Sequence, residues 1–117
     1  MSNYRQIIVM RNDLNMRKGK MVAQGAHASL KVTLENLDSP NVKAWLADSF
    51  TKIALRVESE QELKDIYNSA KAAGIICSII LDAGKTEFAG VPTLTCCAIG
   101  PATKDEIDKI TGHLRLL

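Results

Sequence analysis

The chain has 117 residues, of which 46% are hydrophobic and 24% charged, and its formal net charge is +2. This length suffices for one domain with a buried core and is too short for two, and the small net charge excludes a polycation that coats nucleic acid or membranes indiscriminately. Because no apolar run approaches membrane-spanning length and the amino-terminal segment is too polar for a signal peptide, we expect a soluble, cytoplasmic protein without a membrane partner.

The first half of the chain predicts one strand and two helices. Residues 5–10 (RQIIVM) are apolar, rich in β-branched side chains and followed by a polar turn, as a buried strand is. Over residues 19–37 apolar and small residues recur near the helical period, which predicts a long helix packed closely on a sheet. A break then precedes a short helix over residues 41–48, anchored by Trp45.

Three further strands are predicted in the second half. Residues 52–57 (KIALRV) alternate roughly, residues 75–81 (IICSIIL) form a continuous apolar run typical of an inner strand, and residues 93–99 (TLTCCAI) form the last strand. A polar, Gly-rich loop over residues 82–92 joins the last two. This short link permits an antiparallel or a distant placement of these strands, whereas the helical crossovers favour parallel pairing.

Two capping boxes predict the remaining helices. In each, a Ser or Thr precedes a Glu by three residues, and the pairs are Ser59 with Glu62 and Thr103 with Glu106. The helices that they open are expected to end near Ala73 and Thr111. The resulting alternation of strands and helices predicts a layered α/β domain.

The three cysteines, Cys77, Cys96 and Cys97, lie in apolar runs. Their odd number, with two adjacent residues on opposite faces of a strand, gives no disulfide framework. No CxxC or Cys/His cluster provides metal-ligand spacing, so we expect buried, reduced thiols and no metal site.

Basic residues are concentrated near the amino terminus. Residues 1–31 contain six Lys or Arg and a single acid, whereas residues 32–117 contain nine Lys or Arg and twelve Asp or Glu. Within the basic part, the turn Lys18-Gly19-Lys20 resembles a phosphate-binding arrangement at a helix start, although a solvated basic turn is the simpler interpretation. No Walker motif occurs, so nucleotide hydrolysis is not expected.

The helix that follows this turn carries further polar side chains. Gln24 lies four residues and His27 seven residues beyond Lys20, so all three share one side of the helix. For His27 we favour a partly buried, hydrogen-bonded structural role over catalysis.

A second polar group lies at the end of the third predicted strand. Asp82 follows the apolar run directly and is either a site carboxylate or an ordinary Asp-Gly turn residue. If the strands before the loops 11–20 and 82–92 are parallel, both loops lie at the carboxyl edge of the sheet, where α/β sheets usually bind ligands. No Ser-His-Asp or Cys-His set occurs, so a covalent mechanism is not indicated.

Three segments of the sequence resemble one known family. These are QIIVMRNDLNMRKGKMVAQGAHA, LDAGKTEF and AIGPATKDEIDKITGHLRLL, which follow one another in the order found in the class II, archaeal and eukaryotic type of peptidyl-tRNA hydrolase. The resemblance implies a mixed four-stranded sheet with helices on both faces, a homodimer, no metal or organic cofactor, and hydrolysis of the ester between a stalled peptide and its tRNA.

The resemblance also implies which residues form the site. Those carried over as catalytic are Lys20, Gln24, Asp82, Thr86 and Thr95, and those expected to contact tRNA are Arg17, Lys18, Lys85 and the nearby His27. We hypothesise that Asp82, oriented by a threonine hydroxyl, positions or deprotonates water, while Lys20 stabilises the oxyanion or grips the terminal phosphate. The two roles could be exchanged if Lys20 were neutral.

Two alternatives remain open at this point. The loop over residues 87–92 is one residue longer than is usual in the family, so Thr93 competes with Thr95 as the site threonine; the spacing to the following Ile-Gly-Pro favours Thr95. In function, the main alternative is a non-catalytic RNA-binding or protein-interaction module with the same fold, and a third reading is a small-molecule hydrolase.

Overall fold

The fold is known from a computed structural model, which describes residues 3–85 and 88–117. The elements in chain order are β1 (Tyr4–Arg11), α1 (Lys18–Glu35), α2 (Pro40–Ala47), β2 (Lys52–Val57), α3 (Glu60–Ala72), β3 (Cys77–Asp82), β4 (Thr93–Thr103), α4 (Lys104–Thr111) and β5 (Arg115–Leu116). The predicted elements are all present, with bounds shifted by a few residues. Within the described ranges, no helix is both long and apolar enough to cross a membrane.

The strands form one mixed sheet in the order β3-β4-β1-β2-β5. β1 and β2 are parallel, and β4 is antiparallel to both of its neighbours. The expectation of four strands is wrong, because the carboxyl-terminal tail adds β5, which pairs antiparallel with β2. Since β5 has only two residues, it is too short to produce a periodic pattern in the sequence.

The apolar run that became β3 lies at the edge of the sheet, so its prediction as an inner strand is also wrong. Its side chains are apolar because helices cover both faces of the sheet. Ile76 and Ile80 pack into the cluster under α1, whereas Cys77 and Ile79 pack into the cluster on the other face. A continuous apolar run thus indicates that both faces of a strand are covered. It does not indicate whether the strand is central or at the edge of the sheet.

Two hydrophobic clusters lie on the two faces of the sheet. One joins β1, β2 and β4 to α3 and α4 through buried residues such as Val9, Leu63 and Ile107, and the other joins β1 and β4 to α1. Cys96 belongs to the second cluster and Cys97 to the first, as expected of adjacent strand residues. Both thiols are free and buried, and burial raises the pKa of Cys96 to about 11.

β4 continues through Gly100 and Pro101, where its end was expected. The pairing with β1 passes from Arg5 opposite Ala102 to Ile7 opposite Ile99, so two residues of β4 stand against one residue of β1. This irregularity accommodates a proline, which cannot donate a ladder hydrogen bond.

The small side of α1 packs on the sheet, as predicted, and the large apolar side chains of the same helix point outward. Gly25 and Ala28 are buried, and a Cβ at Gly25 would lie 3.6 Å from Cγ2 of Ile8. By contrast, Val22 is 73% exposed and Leu30 58% exposed. Small residues let the helix approach the sheet closely, which leaves an apolar outer face on α1.

Candidate active site

The sheet topology brings three chain segments to one edge. β1 and β3 run in the same direction, because each is antiparallel to β4 between them. The loops after β1 and β3 and the start of β4 therefore meet at this edge, where α1 also begins. The expectation that the two polar loops share an edge is confirmed.

Lys20 and Asp82 form an ion pair at this edge. Nζ of Lys20 lies 2.8 Å from Oδ1 of Asp82, and the side chains are only 16% and 13% exposed. The hydrogen bond from Lys20 lowers the pKa of Asp82 below its ordinary value, helped by the backbone N–H of Gly84 and opposed by burial. Asp82 is therefore a carboxylate at neutral pH.

Gln24 connects this ion pair to β4. It is buried one helical turn beyond Lys20, and its Nε2 donates to Oδ1 of Asp82 at 3.4 Å. Its Oε1 accepts a hydrogen bond from the hydroxyl of Thr95. The carboxylate of Asp82 can only accept a hydrogen bond, so the amide nitrogen of Gln24 faces Asp82 and the amide oxygen faces the hydroxyl of Thr95.

Thr95 is the threonine that the structure brings to this cluster. It is fully buried, whereas Thr93 donates back to the carbonyl oxygen of Val91. A threonine hydroxyl was expected to orient Asp82. In the described residues Thr95 contacts Gln24, and Gln24 in turn contacts Asp82. Thr86, the other predicted threonine, lies outside the described residues.

A β-bulge gives Thr95 its orientation. Ile80 pairs with Cys96 and Leu81 with Leu94, so Thr95 has no partner on β3. Leu94 packs on the α3 side of the sheet, while Cys96 and Thr95 both face α1. Because Cys96 faces α1, strict alternation would turn its neighbour Thr95 to the opposite face, away from Gln24. The bulge interrupts the alternation and lets both residues face α1.

Gly84 shapes the other side of the cluster. Its φ is +80°, a conformation that glycine adopts without strain, and its N–H donates to Oδ2 of Asp82 at 2.9 Å. A Cβ at this position would lie 2.3 Å from the carbonyl oxygen of Val91.

We therefore expect Gly84→Ala to displace the loop and to remove one of the hydrogen bonds that hold Asp82. The expected result is a roughly tenfold or greater loss of any activity that depends on Asp82, with the fold retained as judged by circular dichroism. Gly90→Ala, at φ +80° but with open space around it, is the matched control for backbone strain alone. Equal activity of both variants would contradict the role of Gly84.

Comparison with known proteins gives matches over nearly the whole chain. The family model described as Peptidyl-tRNA hydrolase PTH2 matches residues 4–117. A protein of Methanocaldococcus jannaschii named peptidyl-tRNA hydrolase is 50% identical over 115 residues, covering 97% of this chain and 99% of the relative. A protein of the same name from Thermococcus onnurineus is 40% identical over 121 residues, covering both chains completely. The chain belongs to the PTH2 family. The resemblance seen in the sequence is thereby confirmed.

The cations expected to contact tRNA lie around the cluster of Lys20, Gln24, Asp82 and Thr95. Arg17, Lys18 and Lys85 are exposed, and Arg17 and Lys18 stand at the start of α1. His27 is exposed as well, so the expectation of a partly buried histidine is wrong; the helix turns it outward, beyond the packed side that holds Gln24.

Phe88 is a further residue at this site that charge and spacing in the sequence do not single out. Nζ of Lys20 lies 5.8 Å from the centroid of its half-buried ring, so the aromatic face contributes to the setting of the ammonium group. The signal was present, because Phe88 ends the motif LDAGKTEF. Among residues 3–85 and 88–117, no group of three or more His, Cys, Asp or Glu could hold a metal ion.

Proposed function

We propose that this chain hydrolyses the ester bond between peptide and tRNA in peptidyl-tRNA, and so recycles tRNA from stalled or aborted translation. The observation that carries the proposal is the Lys20–Asp82 ion pair, held by Gln24 at the sheet edge of a PTH2 family member. The ester is already activated, so its hydrolysis needs a positioned water, a proton acceptor and stabilisation of the oxyanion. The cluster offers each of these.

The roles follow from the chemistry of each group. Asp82 accepts a hydrogen bond from water and takes its proton as the water oxygen attacks the ester carbonyl. Lys20 stabilises the negative charge that develops on the carbonyl oxygen, and the proton then passes to the departing ribose oxygen. Gln24 keeps the carboxylate in place and offers an amide to the substrate. Since a neutral Lys20 would give up its ion pair with Asp82, we assign the base to Asp82.

The acceptor stem of tRNA would lie across the basic residues at this edge. The first turn of α1 contains no acid and has no side-chain cap, so its amides and the flanking Arg17 and Lys18 can receive phosphates. Lys85 and His27 extend this surface. We therefore include these four residues in the tRNA contact.

Removing two of these cations should weaken binding mainly through counterion release. For Arg17→Gln combined with Lys18→Gln, we expect the slope of log Kd against log salt concentration to become shallower by roughly 1 to 2, with kcat at saturation retained. The control is Lys104→Gln, which lies after β4 at the opposite edge of the sheet. An unchanged slope in the double variant would remove these residues from the contact.

The experiment that tests the function compares two substrates. Purified protein is incubated with N-acetylated aminoacyl-tRNA and with the same acyl group esterified to adenosine, and release of the acyl group is followed. We expect rapid release from tRNA and slow release from adenosine. Binding without release would indicate a non-catalytic RNA-binding module. Equal release from both substrates would indicate a small-molecule hydrolase.

We also place the protein in the cytoplasm, where its substrate arises and where three free thiols stay reduced. The proposal includes a homodimer. Its support is a groove of about 660 Å³ between α1 and α2, whose apolar walls include Met10, Gly25, Leu30, Trp45, Phe50 and Leu117. A second copy presents the same apolar surface, and a two-fold contact would cover both.

The dimer proposal predicts that Leu30→Glu yields a monomer in sedimentation velocity, because a buried carboxylate at the centre of the interface would be desolvated without a partner. Leu81→Glu is the matched control, since this leucine is 63% exposed on the edge strand β3. A monomeric wild type would refute the dimer. Dissociation by Leu81→Glu alone would place the interface on the strand edge.

A further inference from the structure

Arg11, at the carboxyl end of β1, is a buried cation that contacts three parts of the chain. Nε and Nη2 donate to the two carboxylate oxygens of Asp13 at 3.2 and 2.7 Å. Nη1 donates to the carbonyl oxygen of Leu94 at 3.0 Å and lies 4.0 Å from Oε1 of Glu60. The whole residue is 8% exposed.

These contacts make Arg11 a poor candidate for binding tRNA. Arg11 is one of the six Lys or Arg among residues 1–31, but its charge is already neutralised by Asp13. The hydrogen bond from Arg11 lowers the pKa of Asp13, which keeps this carboxylate ionised. A phosphate would have to displace a bidentate carboxylate at a site that is almost closed to solvent.

Arg11 contacts β4 directly beside the bulge at Thr95. The backbone pairing of β1 with β4 ends at Met10 opposite Cys96. One residue further, the guanidinium bonds to Leu94, immediately before the bulge residue Thr95. On the β3 side Thr95 lacks a pairing partner, so the bulge is held from the β1 side by the side chain of Arg11.

We propose that Arg11 is a positioning residue, which clamps the β4 bulge through Leu94 and thereby aligns Thr95 and Gln24 with Asp82. Asp13 fixes the guanidinium, and the guanidinium fixes the carbonyl oxygen before the bulge. The bulge then directs the hydroxyl of Thr95 at the amide of Gln24. Arg11 touches neither the substrate nor Asp82.

The kinetic part of this inference depends on the proposed hydrolase function, and a structural readout does not. Arg11→Lys keeps the charge and loses the planar fork that spans Asp13 and Leu94. We expect kcat for N-acetylated aminoacyl-tRNA to fall roughly 10- to 100-fold, with KM and its salt dependence unchanged, because a displaced site loses rate without losing substrate contacts. We also expect the NMR signals of the Gln24 side-chain amide and the Thr95 backbone amide to shift.

The matched control is Arg56→Lys, an arginine near the carboxyl end of the neighbouring strand β2 whose ion pair with Glu58 is exposed. It should leave kcat and both signals unchanged. The inference is overturned if Arg11→Lys behaves like this control. It is also overturned if KM rises with a shallower salt dependence while kcat is retained, since Arg11 would then be a phosphate contact.

If Arg11→Lys does not fold, Asp13→Asn decides the question, because it removes the negative charge and one of the two acceptor oxygens that fix the guanidinium, and it leaves β4 intact. It should shift the same two signals and lower kcat in the same direction, and unshifted signals would overturn the inference. If the wild type releases no acyl group, the proposed function fails, and the NMR comparison alone decides the role of Arg11.

Discussion

Replacing Asp82 with asparagine should lower kcat for peptidyl-tRNA hydrolysis by roughly 10²- to 10⁴-fold, the range that a general base contributes. Asparagine has the shape of the carboxylate and can still accept from Gly84, but it cannot take a proton from water. Because Asp82 is not needed to hold the tRNA body, Kd for tRNA should change little. Single-turnover release of the acyl group measures the effect directly.

A suitable control for this variant is Asp108→Asn, which removes an acid from the exposed Lys104 pair on α4. It should retain full activity. If Asp82→Asn also retained full activity, Asp82 could not be the base. If the affinity of Asp82→Asn for tRNA fell by the same factor as its rate of acyl release, the role of Asp82 would lie in binding.

Replacing Lys20 with methionine should lower kcat by roughly 10²- to 10³-fold, the loss expected when one oxyanion-stabilising group is removed. Methionine fills a similar volume against Phe88 and carries no charge. The same substitution leaves the carboxylate of Asp82 without its principal hydrogen-bond donor. Rates of the wild type and the variant, measured at saturating enzyme, test the prediction.

The pH dependence of activity should change together with the rate. Lys20, and after it Gly84, hold the pKa of Asp82 below its ordinary value, so Asp82 stays ionised as the pH falls from neutral toward the ordinary carboxyl pKa of about 4. In Lys20→Met the acid limb of the pH–rate profile should move to higher pH. An unmoved limb would show that the ion pair does not set the titration of the active group.

The lowered pKa of Asp82 also makes the free energy of unfolding depend on pH. A carboxyl whose pKa is lowered in the folded state stabilises the fold above its unfolded pKa, and this contribution is lost as the pH falls through the folded pKa. The difference in unfolding free energy between wild type and Asp82→Asn should therefore begin to shrink as the pH falls below the ordinary carboxyl pKa of about 4, and it should be lost only below the lowered pKa of Asp82.

The part of the site that the sequence predicted depends on local spacing. Lys20 and Gln24 share a helix face because they are four residues apart, and Asp82 lies at a strand end because an apolar run stops there. Both statements need only the helical period and the run length. The parallel direction of β1 and β3 then brings the two segments together.

The part that the sequence missed depends on distant contacts. The face of Thr95 is set by a bulge that Arg11, on another strand, contacts through Leu94, and the residue pattern of TLTCCAI does not reveal this bulge. The edge position of β3 depends on strand order, which its own residues do not encode. The outer face of α1 is likewise decided by which side of the helix fits the sheet most closely.

The central claim is that Lys20 and Asp82 act as one catalytic unit on the ester of peptidyl-tRNA. The measurement that tests it most directly is a double-mutant cycle of single-turnover release from N-acetylated aminoacyl-tRNA, using the wild type, Lys20→Met, Asp82→Asn and the double variant. We predict release by the wild type, large losses in both single variants, and a double variant about as slow as the slower single one. No release by the wild type, or undiminished release by both single variants, would contradict the claim.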